Sequence, residues 1–193
     1  MGQRTKDLPP LTGAAYWVRE ARYSEIARQG IGLLLMPIFA ALANPVWGLF
    51  IAGSVLAAIG AAVRLYASGF IMKNQQLATE GPYSLVRHPL YTGNLLMLLG
   101  FTVASGQWWA VAIALGFWWF WYPPAIDYED AKLRRLFGER CAEWQAGTPA
   151  VLPRSLLPKS GGTWSLRTSL SRNAEPLVLL YTVICLGWIY RQL

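Results

Sequence analysis

The chain has 193 residues, of which 54% are apolar, ten are tryptophan and only 14% are charged, against about 25% in soluble domains. The net charge is +7, but the basic residues flank apolar blocks and form no stripe of their own, which argues against a nucleic-acid binder and for positive loops beside membrane spans. Two cysteines and one histidine are too few for a disulfide framework or a conventional zinc site, so no metal is expected and the composition predicts one membrane domain rather than two.

Residues 1–12, with Pro9-Pro10 and few apolar groups, are expected to form a loose tail. Residues 1–28 are polar and carry no apolar run or small-residue cleavage pattern, so no cleaved signal peptide is expected. Tyr16 to Arg28 mixes Trp17, Ala21 and Ile26 with Arg19, Arg22 and Arg28. This predicts a helix at the membrane surface, aromatic side in and basic side out, or else an extension of the first span into water. Ile31 to Ala43 is apolar but shorter than the roughly 20 residues that cross about 30 Å of hydrocarbon. It either begins earlier, near Ser24, or is tilted and kinked at Pro37. Asn44-Pro45 breaks the run. Val46 to Val63 predicts a full span, with Gly53, Ala57 and Ala61 as a small-residue face for close packing. The first two segments are therefore expected to form a tight hairpin.

Arg64 to Glu80 is a polar connection, with Lys73, Asn74, Gln75 and Gln76 in water or headgroups. Gly81-Pro82 is a turn signal. Pro89 followed by Leu90 and an apolar run predicts proline in the first turn of a helix, with His88 as its cap. The free N–H groups of that helix end favour an anion, and Arg87 and His88 add donors there. Tyr91 and Asn94 share one face of the same helix. The plainer alternative is a membrane-edge turn, with Arg87 at the headgroups and His88 only capping.

Leu90 to Ala104 is the third apolar segment, Ser105-Gly106-Gln107 a tight turn, and Trp108 to Trp121 the fourth. Its tryptophans read as an aromatic belt, or as the lining of a lipid groove. Pro123-Pro124 is expected to end it. Asp127 to Trp144 is amphipathic, with Leu133, Leu136, Phe137, Cys141 and Trp144 on one face. Residues 145–172 are rich in Pro, Gly and Ser and read as irregular, and Pro176 to Tyr190 is a final apolar segment.

Placing the turns at 44–45 and 105–107 and the C-terminus outside puts most Lys and Arg, including Arg4, Arg19, Lys73, Arg87, Arg134, Arg154 and Arg172, on the other side. That is a positive-inside bias. It sets Gly81–Gly93 and Asp127–Trp144 on one cytoplasmic face, where they can meet. Neither a Walker loop nor G-x-G-x-x-G occurs, and no Ser or Cys nucleophile has a base nearby in sequence. These absences favour chemistry in which a cofactor supplies the reactive group and the chain positions it.

Gly-Pro-Tyr-Ser-x-x-Arg-His-Pro-x-Tyr-x-Gly at 81–93, followed after a hairpin by Glu129-Asp130, Leu133, Phe137-Gly138 and Pro153-Arg154, resembles the isoprenylcysteine carboxyl methyltransferase family and its phospholipid methyltransferase-like bacterial relatives. Membrane sterol reductases carry similar elements. The likeness covers roughly residues 77–155. Asp130 stands where the family has Glu, and Cys141 and Trp144 replace its usual tyrosines. The resemblance implies an all-α, polytopic integral membrane protein with about five apolar helices arranged as hairpins. The chain is thus expected to divide into a tail and interfacial helix at 1–28 and a single methyltransferase-like domain at 29–193, with residues 156–193 as an extension beyond the common core. S-adenosylmethionine is the implied cofactor, in a cytoplasmic-side pocket of a bacterial inner-membrane enzyme. The implied cofactor-binding residues are Tyr83, Arg87, His88, Pro89, Tyr91, Gly93, Asn94, Glu129 and Asp130, with Arg87, His88 and Glu129 as catalytic.

The cofactor's carboxylate suits the helix end at His88–Leu90, and its ribose, ammonium and sulfonium suit Glu129 and aromatic faces. Surface pairing of Glu129 and Asp130 with Lys132 and Arg134 is the competing account. The implied acceptor is lipophilic or small and apolar, such as an isoprenylcysteine-type carboxylate or a lipid, entering sideways from the bilayer. A carboxylate acceptor needs no base, whereas an amine or hydroxyl would need one, and His88 is the ordinary candidate. An NADPH-dependent reductase of the sterol-reductase type, or a non-enzymatic binding module of the same fold, are the alternative readings. The sequence does not speak to oligomeric state.

Overall fold

The computed structural model describes residues 4–71, 76–159, 161–171 and 173–193. The polar connection expected at Lys73–Gln75, and Arg172, lie outside them. Among the described residues the chain is helical without strands: α1 (Gly13–Tyr23), α2 (Glu25–Ala41), α3 (Trp47–Ser68), a 3₁₀ turn (Gly81–Ser84), α4 (Pro89–Ala104), α5 (Trp108–Gly147), α6 (Leu166–Ser171) and α7 (Glu175–Tyr190).

The single surface helix expected over Tyr16–Arg28 is instead two. Ser24 is extended, ends α1 and caps α2 by accepting a hydrogen bond from the Ala27 N–H at 3.2 Å. The break swings Arg28 off the outward basic face and into the protein. From Glu25, α2 runs 17 residues through Pro37. A proline there leaves the carbonyl four residues earlier unbonded. That carbonyl is Leu33 O, and it accepts from the Tyr181 hydroxyl of α7 at 2.8 Å.

Among the described residues only α3, with 22 residues, is long and apolar enough to cross a membrane, and α4 and α7 are shorter apolar helices. The small-residue face of α3 does not bind α2, as expected from sequence, but α4. There Gly93 and Gly100 meet Gly60, Gly53 and Ala57 backbone to backbone. A Cβ built on Gly60 would lie 2.6 Å from Gly93 O, and one on Gly100 would lie 2.5 Å from Ala57 N. Small residues on both partners are what close approach requires, and α2 offers Leu35, Met36 and Phe39 instead. Its own packing is on α4, α5 and α7. Phe39, Phe101 and Ile189 are fully buried in the core between these helices.

The Asn44 N–H donates to Ser105 O at 2.8 Å, and the Gln107 and Gln192 amides donate to Leu42 O and Ala40 O, each at 2.7 Å. The two short turns and the C-terminus therefore share one end of the helix assembly.

Pro123-Pro124 does not end the fourth apolar segment. The helix runs on through both prolines. Pro124 cannot bond Phe120 O, and Arg22 Nε fills that role at 3.0 Å. The stop comes at Gly138, whose φ of 57° and ψ of −140° only glycine adopts without strain. The chain doubles back there, so the expected amphipathic helix at Asp127–Trp144 is two short arms. Gln145 returns to accept from Arg134 Nη2 at 2.8 Å and to donate to Asp130 O at 3.1 Å. Of the expected apolar face, Cys141 is buried while Leu136 stays exposed. Trp108 and Trp119 face outward, whereas Trp118 stacks on Tyr122 and Trp121 donates to Ala21 O.

Candidate functional site

Gly81-Pro82 opens the 3₁₀ turn, the chain turns on through Leu85, and Pro89 is the first residue of α4. The Arg87 and His88 N–H groups are taken by Pro149 O at 2.8 Å and Ala150 O at 2.9 Å, and the Thr92 hydroxyl donates to Val151 O at 2.7 Å. Residues 148–151 therefore lie across the start of α4. His88 occupies the N-cap position, but its side chain makes no capping bond. The ring is drawn away to Asp130 instead, with Nε2 2.9 Å from Oδ1, and stacks on Tyr91 at 5.4 Å.

Arg87 sends its guanidinium to Asp130 Oδ2 at 2.8 Å, Thr148 O at 2.6 Å and Gln145 O at 3.1 Å. Burial alone would raise the Asp130 carboxyl. The hydrogen bonds and charges of His88 and Arg87 outweigh it and hold Asp130 below the ordinary carboxylate range. The network ties the start of α4 to both arms of α5 around Gly138. Beside it, Glu129 accepts from the Tyr91 hydroxyl at 2.9 Å and remains 45% exposed.

The exposed side of Glu129 faces a cavity of about 860 Å³. Its lining is mixed: Arg28, Arg64, Tyr83, Arg87, Tyr91, Asn94 and Glu129 contribute polar groups, and Gly32, Met36, Met97, Leu98 and Phe117 are among the apolar ones. The segments at 81–93 and 127–144 thus do meet. Of the residues singled out from sequence, Tyr83, Arg87, Tyr91, Asn94 and Glu129 line the cavity. His88 and Asp130 stand behind that wall and brace it, Pro89 is buried at the helix start, and Gly93 is used against α3. The helix end expected to hold an anion is largely occupied by residues 148–151. Burial and the Glu129 charge raise the Tyr83 hydroxyl, which therefore stays protonated.

Two features escaped the sequence reading. Arg64 pairs with Glu175 through Nη2–Oε1 at 2.8 Å and Nε–Oε2 at 3.1 Å, with Asn94 and Ser68 completing the cluster at 2.6 and 2.8 Å. A charge inside an apolar span is itself a signal of function or pairing, and Arg64 carried it. Glu175 lies in the extension beyond the common core. The other feature is Arg28, whose guanidinium carbon sits 4.9 Å from the Tyr91 ring centre and 5.1 Å from that of Tyr122. The sequence pattern puts it on the outward basic face, and only the break at Ser24 turns it inward.

The arrangement offers a half-exposed carboxylate beside aromatic rings in a cavity that also has apolar lining. Such a site suits a cationic, hydroxyl-bearing ligand next to a lipophilic one.

The family model for phospholipid methyltransferase matches residues 36–140, which include α3, α4 and most of α5. The chain is 41% identical over 105 residues to the cobalt-zinc-cadmium resistance protein CzcN of Cupriavidus metallidurans, over 54% of this chain and 47% of that protein. It is 36% identical over 110 residues to the nickel-cobalt-cadmium resistance protein NccN of Alcaligenes xylosoxydans xylosoxydans, over 56% and 50%. It is 33% identical over 82 residues to protein-S-isoprenylcysteine O-methyltransferase B of Arabidopsis thaliana, over 42% and 41%. The matches thus span about half the length, or less, of these curated relatives. No solved structure matches significantly. With more than half of its length matched by one family model, and with the motif and acidic pair at the heart of its fold inside that match, the chain belongs to the phospholipid methyltransferase family.

Proposed function

We propose that the protein is an integral membrane methyltransferase that binds S-adenosylmethionine beside Glu129 in the cavity and a lipophilic acceptor against the cavity's apolar lining. The observation that carries this reading is Glu129, held by Tyr91, in the wall of a cavity that Met36, Met97, Leu98 and Phe117 also line. Family membership and the isoprenylcysteine methyltransferase relative support it. A polytopic arrangement is favoured by the side chains left outside: Leu34 and Ile38 on α2, Val55 and Ile59 on α3, Ile113 and Leu115 on α5, and Val183 and Ile184 on α7 are all exposed. Such a girdle suits lipid rather than water. In that arrangement five apolar helices sit in the bilayer, and the Arg87–Asp130 end faces the cytoplasm by the basic asymmetry.

When bound, the cofactor supplies an electrophilic methyl group on its sulfonium. The donor set fits it. Glu129 accepts hydrogen bonds from hydroxyl or ammonium groups, and the Tyr91 face favours positive charge. Tyr91 keeps the Glu129 carboxylate aimed by donating to it. Arg87, His88 and Asp130 hold the two elements in register, which serves a reaction governed by alignment. His88 acts here as a positioning residue, because its ring is buried and its Nε2 is committed to Asp130. Residues 148–151 cover the start of α4.

Incubating the purified protein with methyl-labelled S-adenosylmethionine and a lipid extract of its host should move label into the organic phase. Calorimetry with S-adenosylhomocysteine should show Glu129→Gln binding weaker by about 1.5–3 kcal/mol. No binding to the wild type would end the methyltransferase reading. A cysteine at Ala146 labelled from outside intact cells by an impermeant reagent would overturn the orientation.

A further inference from the structure

Three guanidiniums lining the cavity are paired: Arg4 with Glu25, Arg64 with Glu175, and Arg87 with Asp130. Arg28 is different. It is 6% exposed, it has no carboxylate within 4.0 Å among the described residues, and its Nε–H finds no acceptor. The rings of Tyr91 and Tyr122 stabilise its charge in part. They do not replace an anion, because a buried charge without one is costly. The guanidinium is therefore electrostatically incomplete, and it lines the cavity.

Tyr91 links it to the rest of the site. One tyrosine donates its hydroxyl to Glu129 and lays its ring beside Arg28. An acid and an arginine thus share a single aromatic residue. Arg28 also lies outside residues 36–140, so the family match says nothing of it.

We propose that Arg28 is a carboxylate-binding residue of the cavity, holding its ligand by the forked geometry that suits a guanidinium to a carboxylate. The inference rests on the reading that a methyl donor and an acceptor occupy this cavity. Two ligands bring a carboxylate there: the aminoacyl end of the cofactor, and the head of a lipophilic acid. The pairing of Glu129 with Arg28 across Tyr91 complements an ammonium and a carboxylate on one molecule.

The test uses the full-length protein in nonionic detergent, as wild type, Arg28→Gln and Arg28→Lys. Calorimetry measures S-adenosylhomocysteine against 5′-methylthioadenosine, which lacks the aminoacyl group, and palmitate against methyl palmitate. If the carboxylate is the cofactor's, Arg28→Gln lowers S-adenosylhomocysteine affinity about 10–100-fold, leaves methylthioadenosine unchanged, and Arg28→Lys recovers part of the loss. If it is the acceptor's, the nucleoside ligands are indifferent and wild type prefers palmitate to its ester by a margin that Arg28→Gln abolishes. Ligand-free Arg28→Gln should unfold at the same temperature as wild type or higher, since it removes an uncompensated buried charge. A variant that misfolds or melts lower would assign Arg28 to structure and overturn the proposal. Unchanged affinity for both acids in folded Arg28→Gln would overturn it too. Failure of wild type to bind S-adenosylhomocysteine would sink the methyltransferase reading, while the palmitate arm would still decide Arg28.

Discussion

Glu175→Gln is the most informative single substitution in the fold. It preserves the shape of a side chain that is 1% exposed and removes only the charge facing Arg64, itself 8% exposed. Glu175 accepts two bonds from Arg64, at 2.8 and 3.1 Å, and one from Ser68 at 2.8 Å. Breaking a buried pair from one side costs about 3–5 kcal/mol, because the remaining charge stays desolvated. Glutamine keeps some of the hydrogen bonding, so about 3 kcal/mol is expected. For a chain of this size that lowers the melting temperature by about 6–12 °C. Replacing both partners with apolar residues, Arg64→Met with Glu175→Leu, removes the uncompensated charge and should recover most of the loss. The assay is thermal unfolding in one detergent at one scan rate, followed by tryptophan fluorescence. A shift under about 2 °C for Glu175→Gln, or a double variant no better than the sum of the singles, would refute the reasoning.

Asp130 predicts an acid limb. Its folded carboxyl lies below the ordinary 3.8, so its stabilisation is complete above that value and is lost as pH falls through the lower folded one. Melting temperature measured from pH 5 downward should drop more steeply in wild type than in Asp130→Asn. Arg22→Ala should cost about 1–2 kcal/mol by stranding Phe120 O, and much less in a Pro124→Ala background, where a backbone N–H returns. A double-mutant cycle with no coupling would remove Arg22 as the proline's complement. Gly60→Ala should destabilise by about 1–3 kcal/mol or more, because the added methyl meets Gly93 O, and chemical denaturation reads it directly.

The helical class and the position of most apolar segments were legible because apolar runs, caps and turn residues are local signals. The meeting of residues 81–93 with 127–144 was legible too, from the topology implied by charge. What was hidden depends on partners distant in sequence. Gly53, Ala57 and Ala61 announce close packing but not with whom, and α4 won because it carries glycines of its own. Pro123-Pro124 reads as a stop unless one knows that an arginine 98 residues away serves the orphaned carbonyl. Glu175, just before the last apolar segment, drew no notice in sequence because its partner, Arg64, lies 111 residues earlier. Arg28 was misplaced because the surface helix was read through to Arg28, whereas the first apolar segment begins near Ser24, one of its two expected starts, and α2 carries Arg28 inward.

The continuity of α5 through its two prolines fixes a depth. From Trp108, exposed at the end with the short turns, to Glu129 the helix rises about 32 Å at roughly 1.5 Å per residue. The hydrocarbon of a bilayer is about 30 Å thick. In the proposed arrangement α5 is a ruler, with an indole anchored at one interface and the carboxylate at the other. The reacting groups then meet at the level where a lipid's polar head already lies, and the acceptor's tail need not leave the membrane. Lipid thickness, rather than the conformation of a loop, becomes the variable that tunes how deep the site sits.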